Sequence, residues 1–324
     1  MKTLSLTNLS RITKLDFSKT SDVDSVGGRI SLTKLDNLEE FKARKNGIIQ
    51  LTCSDVNTEL SLIDVSNNAI TDMPNIAALP LLKSFRADRN QITATIQTSL
   101  ASSIELFNIE DNNFTGQIPD ISGNTNLRAF VIGQNAITGN FPDISALTNL
   151  EHFRVNKCSL TGAVNNNINN LRKLKTFVIN HNSFTGNLPW LKNATIMVTL
   201  HVHNNNLVGL LPNFTDMNEH FDPANNGLKS VNCADNNFTG YSGTAIPATH
   251  LKSFRVHNNN LSEDAINNIL SQLVASGKTF TAEELANDEA GVLKLEGGSN
   301  HAPTGQGLTD VTTLRNGNWT VTHN

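Results

Sequence analysis

Residues 174–189 read LKTFVINHNSFTGNLP, and this stretch decides the fold. Counted from Leu174, apolar side chains occupy positions 1, 4, 6 and 11, and an asparagine occupies position 9. The same frame recurs eleven times, and most steps are 22 to 24 residues long. It starts at residues 12, 38, 60, 82, 104, 127, 150, 174, 197, 228 and 251. A regular period of this length is typical of a repeat architecture, in which each unit stacks on its neighbours.

The frame resembles the leucine-rich-repeat consensus L-x-x-L-x-L-x-x-N-x-L, in which each repeat supplies one short strand and a turn. The resemblance implies an α/β-type solenoid, mostly β, whose parallel strands line a concave sheet. We expect an N-terminal cap over residues 1–11 and eleven repeats over residues 12–262. Irregular strand–helix capping units are expected over residues 263–324.

The position-9 residues form a column that we expect to hydrogen-bond backbone groups where each strand turns into the next segment. Such a column holds the coil together and binds no ligand. Its members are Asn46, Asn68, Asn90, Asn112, Asn135, Cys158, Asn182, Asn205, Asn236 and Asn259. We call this column the asparagine ladder.

From residue 112 onward a second motif follows the ladder, as in FTGQIP at 114–119, ITGNFP at 137–142 and FTGNLP at 184–189. This motif resembles the L-T-G-x-I-P consensus of the plant-type subclass of leucine-rich repeats. The resemblance implies a second short strand on the side wall and a twisted superhelix. An insertion at residues 216–226 is expected to form a loop.

The composition argues against several kinds of partner. Net charge is −4 and only 17% of residues are charged, without a basic block, so we expect no nucleic-acid binding. No apolar run reaches transmembrane length, so we expect no membrane insertion. The N-terminus MKTLSLTNLSRITKLDF lacks the apolar core of a signal peptide, and we expect no export by the usual secretory route. Of the three cysteines, Cys53, Cys158 and Cys233, the last two are expected to be buried thiols rather than parts of a disulfide framework.

After the last repeat the pattern changes to that of a helix. Ser262 can cap it, Ile266, Ile269 and Leu270 share one face, and Gly277 can end it. Further predicted elements are a strand at 292–295, a helix around 309–315 and a strand near 319–321.

The final segment, GGSNHAPTGQGLTDVTTLRNGNWTVTHN, resembles the ending of leucine-rich-repeat proteins from bacteriophage and environmental bacteria. Proteins with such an ending are often tail-fibre or virion-surface proteins. The resemblance therefore implies a virion location, and the alternatives are the bacterial cell surface or the cytoplasm.

Strand alternation predicts that positions 3, 5, 7 and 8 of each repeat face solvent on the concave sheet. None of these positions carries Trp, Tyr or Phe, so this face suits a protein, or a glycan held by hydrogen bonds alone. The alternative is a solvated face without a ligand. The candidate ligand-binding residues are Lys42, Arg86, His152, Arg154, His201, His203, Arg255 and His257.

His201 and His203 share one face of a strand, and His181 lies one repeat earlier. No Cys or carboxylate accompanies them at matching positions, so we expect exposed histidines rather than a metal site. A pH response of binding near 6 is a milder hypothesis. No catalytic motif is found, so we expect a protein that is not an enzyme and needs no cofactor.

The leading hypothesis is a non-enzymatic recognition module of a phage tail fibre, binding a bacterial surface protein or polysaccharide through the concave sheet. One alternative is a bacterial surface or effector leucine-rich-repeat protein that binds another protein. Another is a purely structural virion subunit that packs against other virion subunits.

Overall fold

The computed structural model describes residues 11–18, 28–96, 100–164, 166–189, 191–218, 227–286 and 291–324. Almost all of the expected N-terminal cap lies outside these residues. So do Trp190 and residues 219–226 of the expected insertion, which begins in a 3₁₀ turn, Phe214–Asn218.

The chain divides into two compact units, residues 1–159 and 160–324. In the first unit seven short strands form a parallel sheet in the order β1, β3, β5, β6, β7, β8, β10, while β2 pairs with β4 apart from it. The strands are β1 (Lys14–Asp16), β2 (Gly28–Ser31), β3 (Glu40–Lys42), β4 (Ile48–Thr52), β5 (Leu62–Asp64), β6 (Ser84–Arg86), β7 (Leu106–Asn108), β8 (Ala129–Val131), β9 (Thr138–Asn140) and β10 (His152–Arg154).

In the second unit six strands form a parallel sheet in the order β12, β14, β16, β18, β19, β20, and four more form a side-wall sheet in the order β17, β15, β13, β11. Its elements are β11 (Ser159–Ala163), a 3₁₀ turn Asn166–Asn170, β12 (Thr176–Val178), β13 (Ser183–Asn187), β14 (Thr199–His201), β15 (Asn206–Leu210), β16 (Ser230–Asn232), β17 (Asn237–Gly240), β18 (Ser253–Arg255), α1 (Glu263–Ala275), α2 (Ala282–Ala286), β19 (Gly291–Lys294), α3 (Gln306–Asn316) and β20 (Trp319–Thr322).

In each repeat, positions 3 to 5 form the strand of the parallel sheet, and the side chain at position 4 points into the core. In the first unit these side chains include a row of phenylalanines. Phe107 is fully buried, with its ring centroid 5.9 Å from that of Phe85 and 5.8 Å from that of Phe130. The repeating Phe therefore builds a continuous core by stacking one coil on the next.

The chain turns sharply after position 7 in every described repeat. The residue before the ladder position has positive φ each time, for example 60° at Asp111 and 55° at Asn204. That backbone conformation is costly for β-branched side chains, and the sequence places none there. The turn leaves backbone groups without strand partners, which the ladder then satisfies.

Asn205 shows how the ladder works. Its Oδ1 accepts from the backbone N of Phe184 at 3.0 Å, and its Nδ2 donates to the carbonyls of Ile179 at 3.1 Å and Val202 at 3.0 Å. One buried side chain thus satisfies backbone groups of two successive coils.

One sequence-based expectation is wrong in part. Position 7 was expected to face solvent, but Ser66, Asn180 and Ala234 are buried there, and His203 and His257 are half-buried. The reason is that the strand ends at position 5 and the chain then turns, so strand alternation no longer sets the direction of the side chain.

The helix predicted after Ser262 is α1. Ser262 Oγ accepts from the backbone N of Ala265 at 3.2 Å, and Ile266 and Leu270 are among the residues it buries. The Gly-rich segment that follows β19 brings Asn300 into a ladder-like position. Asn300 Oδ1 accepts from the backbone N of Leu261 at 2.9 Å, and its Nδ2 donates to the carbonyl of Val256 at 3.0 Å.

All three cysteines are free thiols. Cys233 is buried, as expected, and Cys53 is buried too, whereas Cys158, which was also expected to be buried, is only half-buried. Burial raises the pKa of Cys53 to about 12 and that of Cys158 to about 11, so both remain protonated at neutral pH.

Candidate recognition surface on the parallel sheets

Position 5 forms the centre of the solvent-facing side of each parallel sheet, and we call this side the strand face. In the first unit position 5 reads Asp16, Lys42, Asp64, Arg86, Asn108, Val131 and Arg154. Acidic and basic residues alternate over the first four strands. Asp16 lies opposite Lys42, Lys42 opposite Asp64, and Asp64 opposite Arg86 in the strand register.

Two of the first-unit candidates differ in their surroundings. Lys42 lies 3.1 Å from Glu40, which also accepts from Lys14 at 2.6 Å. Arg86 is exposed, between Asp64 and Asn108 in register. Opposite charges that face each other across strands neutralise this part of the strand face.

His152, a candidate at position 3 of its repeat and the first residue of β10, lines a shallow cleft of about 350 Å³. The same cleft holds two ion pairs, Lys83–Glu105 at 3.6 Å and Arg128–Glu151 at 2.6 Å. Its charges are matched within the protein. Arg154, two residues after His152, is exposed beyond the cleft.

In the second unit position 5 reads differently, and we call it the second-unit row. The strand register places side by side Val178, His201, Asn232, Arg255, Lys294 and Thr322. The row contains two cations and no carboxylate. All of its members are half-buried, so side chains pack around them while part of each remains accessible.

Three histidines of the second unit, His181, His201 and His203, form a contact cluster. The ring centroids of His181 and His203 are 5.1 Å apart, and those of His201 and His203 are 5.9 Å apart, both in edge-to-face arrangement. His201 Nε2 lies 2.7 Å from Ser230 Oγ on the neighbouring strand. His201 and His203 are half-buried, which differs from the exposed histidines expected from the sequence, whereas His181 is exposed as expected.

His203 is the most perturbed member of the cluster. Its pKa is lowered to about 4, mainly by burial and then by the neighbouring His181 and His201, while Asp235 opposes the shift. Its Nδ1 is enclosed and has no hydrogen-bond partner. His203 is therefore neutral at neutral pH, and it does not supply a protonation event near pH 6.

Across the portion of the chain that the structure describes, no group of three or more His, Cys, Asp or Glu side chains has a geometry that could hold a metal ion. In the same portion, no helix combines the length and apolar character needed to cross a membrane.

The structure thus places the eight sequence-derived candidates in two settings. Lys42, Arg86, His152 and Arg154 lie on the strand face of the first unit, where acid–base pairs dominate. The other four lie on the second unit: His201 and Arg255 belong to the second-unit row, which contains no carboxylate, and His203 and His257 each lie two residues after one of them.

Sequence reasoning missed Lys294 and Thr322, which continue the second-unit row on β19 and β20. Arg255 and Lys294 are 39 residues apart, so a repeat period of about 23 residues does not identify Lys294 or Thr322 as further members. The alternation V-L-K-L at residues 292–295 was the available signal.

No protein-family model matches the chain, and no curated protein matches it. Among solved structures, the chain is similar to the plant peptide hormone receptor RGFR1 in complex with RGF2. The match has 26% identity and a TM-score of 0.64, and it covers 79% of this chain and 42% of the receptor chain.

The chain is also similar to the leucine-rich-repeat ectodomain of the Arabidopsis receptor kinase HAESA in complex with an IDA peptide hormone ligand. That match has 19% identity and a TM-score of 0.65, and it covers 79% of this chain and 43% of that one. A leucine-rich-repeat protein of Leptospira interrogans matches with 16% identity and a TM-score of 0.52, covering 89% of this chain and 73% of that one.

The fold is therefore a parallel-strand solenoid of the leucine-rich-repeat type. The chain spans less than half the length of the two plant receptor chains that it matches.

Proposed function

We propose that this protein is a non-enzymatic recognition module that binds a partner protein through the strand face of its second unit. The observation that carries the proposal is the second-unit row, where polar and cationic side chains lie side by side without a carboxylate. Cations that the protein leaves unmatched on an accessible sheet are suited to a complementary partner surface.

The solved neighbours support a binding role. RGFR1 was solved with RGF2, and HAESA with an IDA peptide hormone ligand, so both are receptors with bound ligands on this fold. The absence of Trp, Tyr and Phe side chains from the second-unit row favours a protein partner over a sugar, since sugar sites commonly use these exposed rings.

Adsorption of the labelled chain to a panel of bacterial cells tests this proposal. His201→Glu and Asn232→Glu introduce a carboxylate into the second-unit row, and we expect them to abolish adsorption. Thr185→Glu makes the same charge change on an exposed side-wall position and should leave adsorption unchanged. Protease treatment of the cells should remove the binding site, and periodate oxidation of their glycans should not. Equal adsorption of the chain and both row variants contradicts the proposal.

We further propose that the module is carried on a phage particle as a tail-fibre or virion-surface component. The support is the sequence of residues 297–324, which resembles the ending of such proteins. Mass spectrometry of purified phage particles tests this placement. Detection in the surface fraction of uninfected bacteria favours a bacterial surface protein instead. If virions in which the strand face of this chain is disrupted still adsorb normally, a structural subunit is favoured.

A further inference from the structure

The end of the second-unit row brings two cations together. Arg255 on β18 and Lys294 on β19 are register partners on adjacent strands, which lie about 4.8 Å apart in a sheet. Both residues are half-buried. The structure gives neither side chain a hydrogen bond or an ion pair with any residue it describes, and the Nε of Arg255 is enclosed without a partner.

This arrangement departs from the rest of the strand pairings. Opposite charges face each other at Lys14 and Glu40, at Asp16 and Lys42, and at Asp64 and Arg86. Among the strand pairings that the structure describes, Arg255 and Lys294 are the one place where two like charges stand opposite. Like charges directly opposite each other destabilise a sheet, so this pair costs stability when no anion is bound.

Two carboxylates, Asp235 and Glu296, act on the neighbouring His257, and both are already engaged by other donors. Asp235 accepts from Asn258 Nδ2 at 2.7 Å and from Asn204 Nδ2 at 3.4 Å. Glu296 accepts from the hydroxyl of Thr322. Both carboxylates lie beyond the ends of the strands, so they moderate the field of the cations without pairing with them.

The pKa of His257, two residues after Arg255, responds to these charges. Burial lowers its pKa, Asp235 and Glu296 oppose the shift, and Lys294 and Arg255 reinforce it. The two flanking row members are neutral hydrogen-bonding residues, Asn232 and Thr322. An incoming anion would thus meet two cations with polar neighbours on both sides.

We propose that Arg255 and Lys294 form a docking point for the carboxylate side chains of an acidic peptide segment on a protein partner. This inference rests on the proposed function, because it takes the second-unit strand face as the recognition face. The guanidinium of Arg255 matches the planar geometry of a carboxylate, and Lys294 supplies a point charge that accommodates a second one. An acidic peptide is favoured over an acidic polysaccharide because the row offers no Trp, Tyr or Phe ring for a sugar to stack on.

Fluorescence anisotropy with the full chain tests the proposal. The probes are a labelled peptide of alternating Gly and Glu, the same peptide with Gln in place of Glu, and labelled polygalacturonate. We expect the Glu peptide alone to bind, and to bind more weakly as salt is added. Arg255→Gln and Lys294→Gln should each weaken it about tenfold or more. Arg172→Gln removes an exposed cation in the turn before β12 and should change nothing.

A second measurement is independent of any ligand. Lys294→Gln removes the repulsion between like charges, so its Tm should exceed that of the parent chain, most clearly at low salt. Arg172→Gln serves again as the control.

Glu-peptide binding that is equal in the parent chain and in both row variants overturns the proposal. So does binding of polygalacturonate in place of the peptide, or failure of all three probes to bind, or an unchanged Tm for Lys294→Gln at low salt. If His201→Glu abolishes cell adsorption while Arg255→Gln and Lys294→Gln do not affect it, the proposed function stands and this docking point fails.

Discussion

The thiol of Cys158 donates to the carbonyl oxygen of Ile132 over 3.7 Å, in the role that an asparagine amide fills elsewhere in the ladder. One repeat earlier, Asn135 Nδ2 reaches the equivalent carbonyl, that of Ile109, at 3.0 Å. Asn135 also accepts from the backbone N of Phe114 at 2.9 Å, and a thiol is a weak acceptor for such a bond. The ladder is therefore weakest at Cys158.

Cys158→Asn should stabilise the protein. The amide would replace two long thiol contacts, to the carbonyls of Ile132 and Asn156 at 3.7 Å each, with ordinary hydrogen bonds. It would also provide an oxygen to accept from the backbone, and the gain should be about 1 kcal/mol in the free energy of unfolding. Thermal and urea unfolding measure the change. Cys158→Ala, which removes the donor as well, should be less stable than the parent chain. A Tm for Cys158→Asn at or below that of the parent would contradict the ladder argument.

Asn112→Ala should destabilise strongly. Asn112 Oδ1 accepts from the backbone N of Ile92 at 3.0 Å, and its Nδ2 donates to the carbonyls of Ala87 and Ile109, each at 3.0 Å. Alanine leaves these buried groups without partners, at a cost of about 2–4 kcal/mol in the free energy of unfolding. Asn113→Ala, at the exposed neighbouring position, should cost less than about 0.5 kcal/mol. Equal losses in the two variants would show that the ladder bonds contribute little.

Much of the fold is predictable from the sequence because stacked repeats require the same types of residue at a regular spacing. Phe107, Phe130 and Asn112 occupy the positions that the period assigns them. The pairing of β2 with β4 was not predicted, because it lies outside the recurring frame. Asn300 was also missed, because Gly297 and Gly298 lengthen the turn and shift the asparagine by two positions from the expected one.

The candidate surface was less predictable than the fold. Position 5 follows strand alternation, so the sequence could identify Arg255 as solvent-facing. Position 7 depends on how the turn packs against neighbouring coils, so the enclosure of His203 could not be derived. The opposition of Arg255 and Lys294 depends on a strand pairing across a non-repetitive segment, which no period reveals.

Asn300→Ala should loosen the C-terminal segment. Asn300 joins three parts of the chain, through the backbone N of Leu261 at 2.9 Å and the carbonyls of Val256 at 3.0 Å and Leu295 at 2.7 Å. Without the side chain, we expect the amide of Leu261 to lose hydrogen-exchange protection about tenfold or more, since buried unpaired groups favour local opening. Ser299→Ala, on the exposed preceding residue, is the matched control. Unchanged protection of the Leu261 amide would show that the Asn300 side chain does not stabilise this segment.

His203 should make the stability of the protein depend on pH in the acidic range. Its pKa is about 4 in the folded state, against an ordinary value of 6.5, because burial disfavours the charged ring and His181, His201 and Arg255 add to the effect against Asp235. Between pH 6.5 and 4 the unfolded chain binds a proton that the folded chain does not. The free energy of unfolding therefore falls as the pH falls through this window, and His203 makes no such contribution above it.

In His203→Gln this proton is absent, so the Tm should fall less between pH 6.5 and 4 than in the parent chain. Any packing effect of the substitution appears as a constant offset that is already present at pH 7.5. Parallel Tm curves for the two proteins, or an NMR titration of the His203 ring near pH 6.5, would show that the ring is not enclosed as the structure places it.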